Sequence, residues 1–250
     1  GTATVVVVVN PQPIVTASSN SPVCEGQTLN LTSGGATSYS WSGPNGFTST
    51  DQNPILTPVT LAMAGTYTVT GTDGSGCTNT ATVTVVVNAL PVVTASANTP
   101  VCEGQTLNLT SGGANTYSWA GPNGFTDNVQ NPVLTLVTPA MAGTYTVTGT
   151  DGNGCSNTAT VTVVVTPNIV MVAGSNSPVC ESGTLNLTST PNGLSSYSWA
   201  GPNGFTDNVQ NPVLTPVTLA MAGTYTVTGT DGNGCSNTAT VTVVVTPNIV

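Results

Sequence analysis

The sequence predicts an all-β protein built as a tandem array of small antiparallel β-sandwiches. Three observations carry this reading: a long unit repeated at fixed spacing, apolar and polar residues alternating with period two, and turn-forming clusters between the alternating runs.

The repetition is direct. Pro22-Val-Cys-Glu-Gly-Gln-Thr-Leu-Asn-Leu-Thr-Ser-Gly-Gly-Ala36 recurs unchanged at Pro100 to Ala114 and in altered form from Pro178. Cys24, Cys102 and Cys180 stand at equal intervals along the chain. Residues 119–170 match residues 199–250 except at two positions, where Leu136 and Pro139 become Pro216 and Leu219. A period of about 80 residues is long for a solenoid and right for one small domain. Pro11, Pro91 and Pro167 mark short linkers, which predicts repeats over 11–88, 89–166 and 167–245. Residues 1–10 align with the last strand of a repeat and 246–250 with the first strand of one. The expectation is a window on a longer polymer, with adjacent modules forming a semi-rigid rod.

Within a unit the period is two. Leu107 and Leu109 alternate with Thr106, Asn108 and Thr110, and Tyr117 and Trp119 flank Ser118. Tyr145 and Val147 alternate with threonines, as do Val161 and Val163. Such a pattern is a half-buried antiparallel strand. Gly112-Gly113, Gly121-Pro-Asn-Gly124, Asn131-Pro132 and Asp151-Gly-Asn-Gly154 separate the runs as turns. About seven short strands per unit, with no helical stretch, predict a small sandwich.

Composition excludes whole classes of function. The 250 residues include no Lys, Arg or His against nine Asp and Glu, a formal charge of −9. No side-chain salt bridge can form. Nucleic-acid binding, which rests on Lys and Arg neutralising phosphates, is excluded, and so is a polybasic membrane contact. A P-loop lacks its Lys and a hydrolytic triad lacks its His. The valine run at Val5 to Val9 is far short of the ~20 residues of a spanning helix. No catalytic residue and no cofactor is predicted; the expectation is a protein that is not an enzyme. Isopeptide cross-links, which need Lys, are impossible.

Each unit holds two cysteines: Cys24 with Cys77, Cys102 with Cys155, and Cys180 with Cys235. The first two pairs are equally spaced, and the third is slightly wider because of the insertion around Pro191-Asn-Gly193. Six cysteines allow 15 connectivities, and repetition selects the pairing inside each module, one disulfide per module. Disulfides imply an oxidising, extracytoplasmic location. Closing such a loop stabilises a module by roughly 4 kcal/mol in the chain-entropy model.

Ala64-Gly-Thr-Tyr-Thr-Val69 resembles the Gly-x-Tyr-x-Cys segment of strand F in Ig domains, and Trp41, downstream of Cys24, resembles their strand C tryptophan. Val69, Val147 and Val227 stand where the second Ig cysteine belongs, so the resemblance places the disulfide at one end of the sandwich. It also implies core roles for Trp41, Tyr67, Trp119, Tyr145, Trp199 and Tyr225. The whole pattern is similar to the Ig-like and PKD-like repeats of large secreted surface proteins of Bacteroidota, including gliding-motility adhesins. That resemblance implies a cell-surface location and export by the type IX route.

Two sets of residues admit a ligand and also a plainer reading. Asp73, Asp151 and Asp231 in the Asp-Gly-x-Gly turns, with Glu25, Glu103 and Glu181 beside the first cysteines, are calcium candidates. The intra-module disulfide would bring Glu103 near Asp151, yet calcium wants six to eight oxygens. A hairpin turn explains the same residues without metal. Trp119 and Phe125, with Asp127, Asn128 and Asn131, would make a sugar platform; a core Trp capped by Phe across a Pro-Asn type I turn is the simpler account. Asn30, Asn108 and Asn186 begin Asn-Leu-Thr, formal sequons that also read as outward strand polarity.

The function predicted is an extracellular stalk or filament whose partners are neighbouring repeats and, in a filament, lateral copies of itself. The alternative is an adhesin whose repeats bind glycan or protein. The loop at Thr190 to Leu194, which differs most between copies, is where specialisation is expected.

Overall fold

A computed structural model describes residues 2–248. By contact the chain divides into two compact units that cut across the sequence repeats. The first holds Gly1–Thr94, Gly112–Tyr117 and Thr148–Ala159; the second holds Ala95–Ser111, Ser118–Val147 and Thr160–Val250.

In the first unit, repeat 1 supplies β1 (Thr16–Ser19), β2 (Val23–Cys24), β3 (Leu29–Gly34), β4 (Ser38–Ser42), β5 (Thr48–Ser49), β6 (Ile55–Leu56), β7 (Gly65–Thr72), β8 (Thr78–Val85) and β9 (Val87–Asn88). One sheet has the order β1-β3-β6, the facing one β5-β4-β7-β8, and β2 pairs with β9 alone. The β2–β9 ladder is parallel and the others are antiparallel. Nine strands replace the seven expected because the first and last strands each break. Val86 donates its N–H to the Ser21 hydroxyl at 2.8 Å, so a side chain stands in for a ladder partner between β8 and β9.

The long hairpin β7–β8 runs in register from Gly65↔Val85 to Thr72↔Thr78. Along β7, Tyr67 and Val69 are fully buried while the intervening threonines stay partly or wholly exposed. The core of repeat 1 is Leu29, Leu31, Trp41, Leu56, Val59, Tyr67, Val69 and Val85, closed below by Val23 and Val87. Trp41 faces Val69 across β4–β7 and donates its indole N–H to the Gln52 carbonyl at 3.3 Å. With polar contacts of this kind, no buried side-chain N or O among the described residues lacks a partner.

In the second unit, repeat 3 repeats the plan from Val172–Ser175 to Val245–Thr246, with Trp199↔Val227 in the register of Trp41↔Val69. Its core is built on Leu185, Leu187, Trp199, Val217, Tyr225 and Val227.

One predicted boundary changes. Thr246 pairs with Cys180 and so closes repeat 3 rather than opening another. Residues 2–10 carry no strand, and Val5 to Val9 are 76–86% exposed. A strand needs a ladder partner for its N–H and C=O groups, and none lies beside this segment among the described residues. Of the expected strand at 246–250, Ile249 and Val250 lie outside the described residues.

Candidate functional site at the stapled turns

The tyrosine of each long hairpin bonds back to its own chain. Tyr67, Tyr145 and Tyr225 donate their hydroxyls to the carbonyls of Met63, Met141 and Met221, each at 2.9 Å. This is the tyrosine corner of Ig domains, in which the hydroxyl bonds back to the backbone a few residues upstream. Burial of the phenols raises the pKa of all three, because the charged form would lose its hydration. Phe47, Phe125 and Phe205 meet these rings edge-on, at 5.4, 5.4 and 5.5 Å between centroids.

The Pro-Asn pair is not a type I turn. Asn45 has φ 53 and Gly46 φ 73, and Phe47 donates its N–H to the Pro44 carbonyl at 3.1 Å. Two positive φ angles in sequence make a type I′ turn on Asn-Gly, with proline at its first position. The Asn-Gly dipeptide is the sequence signal for it.

The Asp-Gly-x-Gly turn joins β7 to β8. Asp73 Oδ1 accepts the N–H of Ser75 at 2.8 Å and of Cys77 at 2.9 Å; Asp151 and Asp231 do the same in their own turns. Gly76 takes φ 81 to close the loop. The carboxylate therefore shapes the turn that carries a cysteine.

The cysteines pair differently from the prediction. Cys24 bonds Cys155 and Cys102 bonds Cys235, each with Cα atoms 5.6 Å apart, while Cys77 and Cys180 are free thiols. The bridge joins the first cysteine of one repeat to the second cysteine of the next. Strand direction explains why. Cys24 lies beside Asn88 in the β2–β9 ladder, at the far end of β8–β9 from Cys77. At ~3.3 Å per residue, that stretch of strand places the two sulfurs about 35 Å apart, when a disulfide tolerates about 7 Å between Cα atoms. Loops of 131 and 133 residues raise the entropic stabilisation to about 5 kcal/mol per bridge.

The second unit shows what surrounds a bridge. Glu103 donates its N–H to the Thr166 carbonyl at 2.8 Å, and its carboxylate accepts the N–H of Asn168 at 3.0 Å. Asn233, in the turn that carries Cys235, donates its side-chain N–H to the Thr166 hydroxyl at 3.2 Å. The staple thus sits in a small polar lock of linker backbone, carboxylate and turn amide. The exchange of partners also overturns the predicted meeting of Glu103 with Asp151: the bridges tie the turn of Asp151 to the strand before Glu25, and the turn of Asp231 to the strand before Glu103. Among the described residues no three His, Cys, Asp or Glu side chains gather as a metal site.

The sugar-platform residues are occupied otherwise. Trp119 is buried and donates to the Gln130 carbonyl at 3.2 Å. Asp127 Oδ1 accepts the N–H of Val129, and Asn131 Oδ1 that of Ser111. A shallow cavity of about 200 Å³ is lined by Pro122, Asn123, Phe125, Leu134, Met141 and Tyr145. Sequence reading missed a clamp: Asn79, Asn157 and Asn237 donate to the carbonyls of Pro13, Pro91 and Ile169 at 2.9, 3.1 and 2.7 Å, tying the entering chain to the last long strand. Its trace in sequence is an Asn next but one after each second cysteine.

The architecture has solved relatives. The eight N-terminal Ig domains of Down syndrome cell adhesion molecule overlay 90% of this chain on 35% of theirs, at 16% identity and a TM-score of 0.50. The fold is Ig-like. A 1.5-MDa bacterial ice-binding adhesin covers 96% of the chain at 18% identity, and the three N-terminal domains of the bacteriophage RB49 outer capsid protein Hoc cover 94% at 13% identity. Their TM-scores of 0.36 and 0.42 are too low to carry an argument. In sequence, the dyslexia-associated protein KIAA0319 of Homo sapiens is 30% identical over 248 residues, taking in 83% of this chain. The chain spans 23% of that protein's length. No family model matches. These Ig-like repeats are thus held by bridges running from each repeat to its successor, with the usual strand F cysteine replaced by valine.

Proposed function

We propose that the chain is a non-catalytic structural segment of an extracellular stalk or filament, exported in the manner of the type IX surface proteins it resembles. The observation that carries this reading is the bridge from one repeat to the next. A disulfide confined to one sandwich stabilises that sandwich; one that crosses to the successor makes the linkage between repeats covalent twice over. Linkers of a few residues with Pro at their ends restrict bending further. A surface of Thr, Ser and Asn with nine carboxylates and no cation suits a spacer that must stay inert.

Small-angle scattering on the 250-residue chain tests the reading. An elongated, semi-rigid profile that loosens on reduction with dithiothreitol is expected; a globular profile, or one that reduction leaves unchanged, overturns it. The second reading, an adhesin, is favoured by the Pro191, Asn192 and Gly193 insertion, whose residues are exposed and unique to repeat 3. Binding on a glycan array that Asn192→Ala abolishes would select it over the stalk.

A further inference from the structure

We propose that the outward face of the long hairpin in repeats 1 and 3 is an ice-binding surface, a fixed grid of hydroxyls whose ligand is the prism face of an ice crystal. In repeat 1 the register of β7 on β8 places threonine opposite threonine four times in succession, from Thr66↔Thr84 to Thr72↔Thr78. Repeat 3 does the same from Thr224↔Thr242 to Thr230↔Ser236, where serine takes the last place. The alternate residues of β7, Tyr67 and Val69, fill the core, so these hydroxyl side chains all stand on the solvent side of the sheet. In repeat 1, β4 continues the grid, from Ser42 opposite Thr68 to Ser38 opposite Thr72.

Three features separate this face from an ordinary threonine-rich strand surface. First, its hydroxyls are uncommitted: among the described residues, none of them forms a hydrogen bond within the protein. The opposite sheet, built under the same strand preferences, differs. There Ser18 and Thr32 join their hydroxyls to each other at 2.5 Å, and Asn30 stands beside Ile55, which is 66% exposed. Second, the face carries no charge. Asp73 and Asp231 lie in the turns beyond the last pair, where each carboxylate accepts backbone N–H groups. A neutral crystal plane thus meets a neutral face, and no ionic group holds liquid water over it. Third, the spacing is regular in two directions. Facing residues of an antiparallel pair stand about 4.5–5.5 Å apart, and alternate residues along a strand about 6.5–7 Å. Oxygens on the prism face of hexagonal ice repeat at two comparable distances at right angles, so one crystal axis runs along the strands and the other across them.

Threonine is the right residue for such a contact. Branching at Cβ restricts χ1, so the hydroxyl is positioned before the ligand arrives and little rotamer freedom is lost on binding. Each hydroxyl both donates and accepts, as a lattice water requires of its neighbour. The paired rows occupy two adjacent strands, so sheet twist enters as a single step of about 20–25°. The proposal stands apart from the stalk reading: a chain that scatters as a rod can be excluded from ice, and a flexible one can adsorb to it.

The test grows ice slowly in a stirred solution of the 250-residue chain mixed with serum albumin, and measures how each protein partitions between crystal and liquid. The chain is expected to concentrate in the ice while albumin stays in the liquid. A variant with Thr82→Lys, Thr160→Lys and Thr240→Lys puts a charge at the same exposed point of each repeat, on the edge strand of the hairpin, where lysine is ordinary. Its partition is expected to fall to the albumin level. A second variant, with Asn30→Lys, Asn108→Lys and Asn186→Lys, puts the same charge on exposed positions of the opposite sheet and is expected to partition as the unmodified chain does. Circular dichroism melts check that both variants fold, and the unmodified chain alone can already sink the idea. Its exclusion from ice overturns the proposal, as does an equal loss in the two variants. Binding to insoluble cellulose that the threonine variant loses, with no enrichment in ice, would assign the face to a polysaccharide and overturn it too.

Discussion

Repeats 1 and 3 close the turn between their third and fourth strands over the same interior with different material. Repeat 1 uses Gly34, Gly35 and Ala36; repeat 3 uses the longer Thr190 to Leu194. Gly35 has φ +87, and a Cβ there would lie 1.8 Å from the Ile14 carbonyl oxygen. Gly193, at φ +81, has nothing within 4 Å of the same point. Underneath, Val15 and Ala36 cover Gly71, whereas Met171 and Leu194 cover Gly229. The clasp survives the change. Tyr39 donates its hydroxyl to the Ala36 carbonyl at 2.9 Å, and Tyr197 donates to the Pro191 carbonyl at 2.8 Å. Loop length is therefore free to vary as long as two things persist, a volume that seals the strand glycine and a tyrosine that holds the loop. The shorter turn achieves this by pressing backbone on backbone, and it leaves no tolerance for a methyl group.

The largest expected effect tests that last point. Gly35→Ala forces the backbone of Ile14 to move, and a loss of about 3 kcal/mol is expected, confined to repeat 1 in hydrogen exchange. Gly193→Ala meets only the left-handed backbone penalty of about 1 kcal/mol. Equal losses in the two repeats would show that Gly35 is not pressed against Ile14. Leu194→Ala comes next: the side chain is partly buried against the repeat 3 core, so about 1–2 kcal/mol is expected, below the range for a fully enclosed Leu. If thermal melts show no loss, the sealing role assigned to it is wrong.

Alkaline pH acts on both repeats alike, because their corner tyrosines are the same. Their pKa is raised in the folded state, so the native protein holds protons that the unfolded chain releases. Stability is then fully present below about pH 10 and declines as pH rises through the raised values. Exchange rates followed from pH 9 to 11 should increase together in repeats 1 and 3. The smallest expected effect is none: raising NaCl at neutral pH should leave the melting temperature unchanged within about 1 °C, since no cationic side chain exists to be screened.

Much of a single module is legible in its residues, because alternation, turn chemistry and the tyrosine corner are local. Leu107, Leu109, Trp119, Tyr145 and Val147 are all buried, as a period of two requires. The break between β8 and β9 is not legible, since it depends on Ser21 reaching Val86 from the far side of the repeat. The bridges escape a sequence reading for a related reason. Repetition identifies which cysteines are equivalent, and equivalence is satisfied as well by pairing each with the next repeat as by pairing within one. Strand direction decides between the two, and it separates Cys24 from Cys77 by the length of β8 and β9. At the Asn45–Gly46 turn, Pro44 suggests type I, but Asn-Gly is the stronger signal and prevails.

The two bridges overlap along the chain, since Cys102 falls inside the loop closed between Cys24 and Cys155. Suppose the molecule is drawn taut from its ends. The shortest covalent route runs in to Cys24, crosses to Cys155, travels backward to Cys102, crosses to Cys235 and leaves. Only about 90 residues bear tension on that route, which limits the taut length to about 300 Å, against about 850 Å for the reduced chain. The stretch between Cys102 and Cys155 is pulled against its own N-to-C direction. The remaining residues hang as two slack loops, so a sandwich that came apart there would add nothing to the tether's reach.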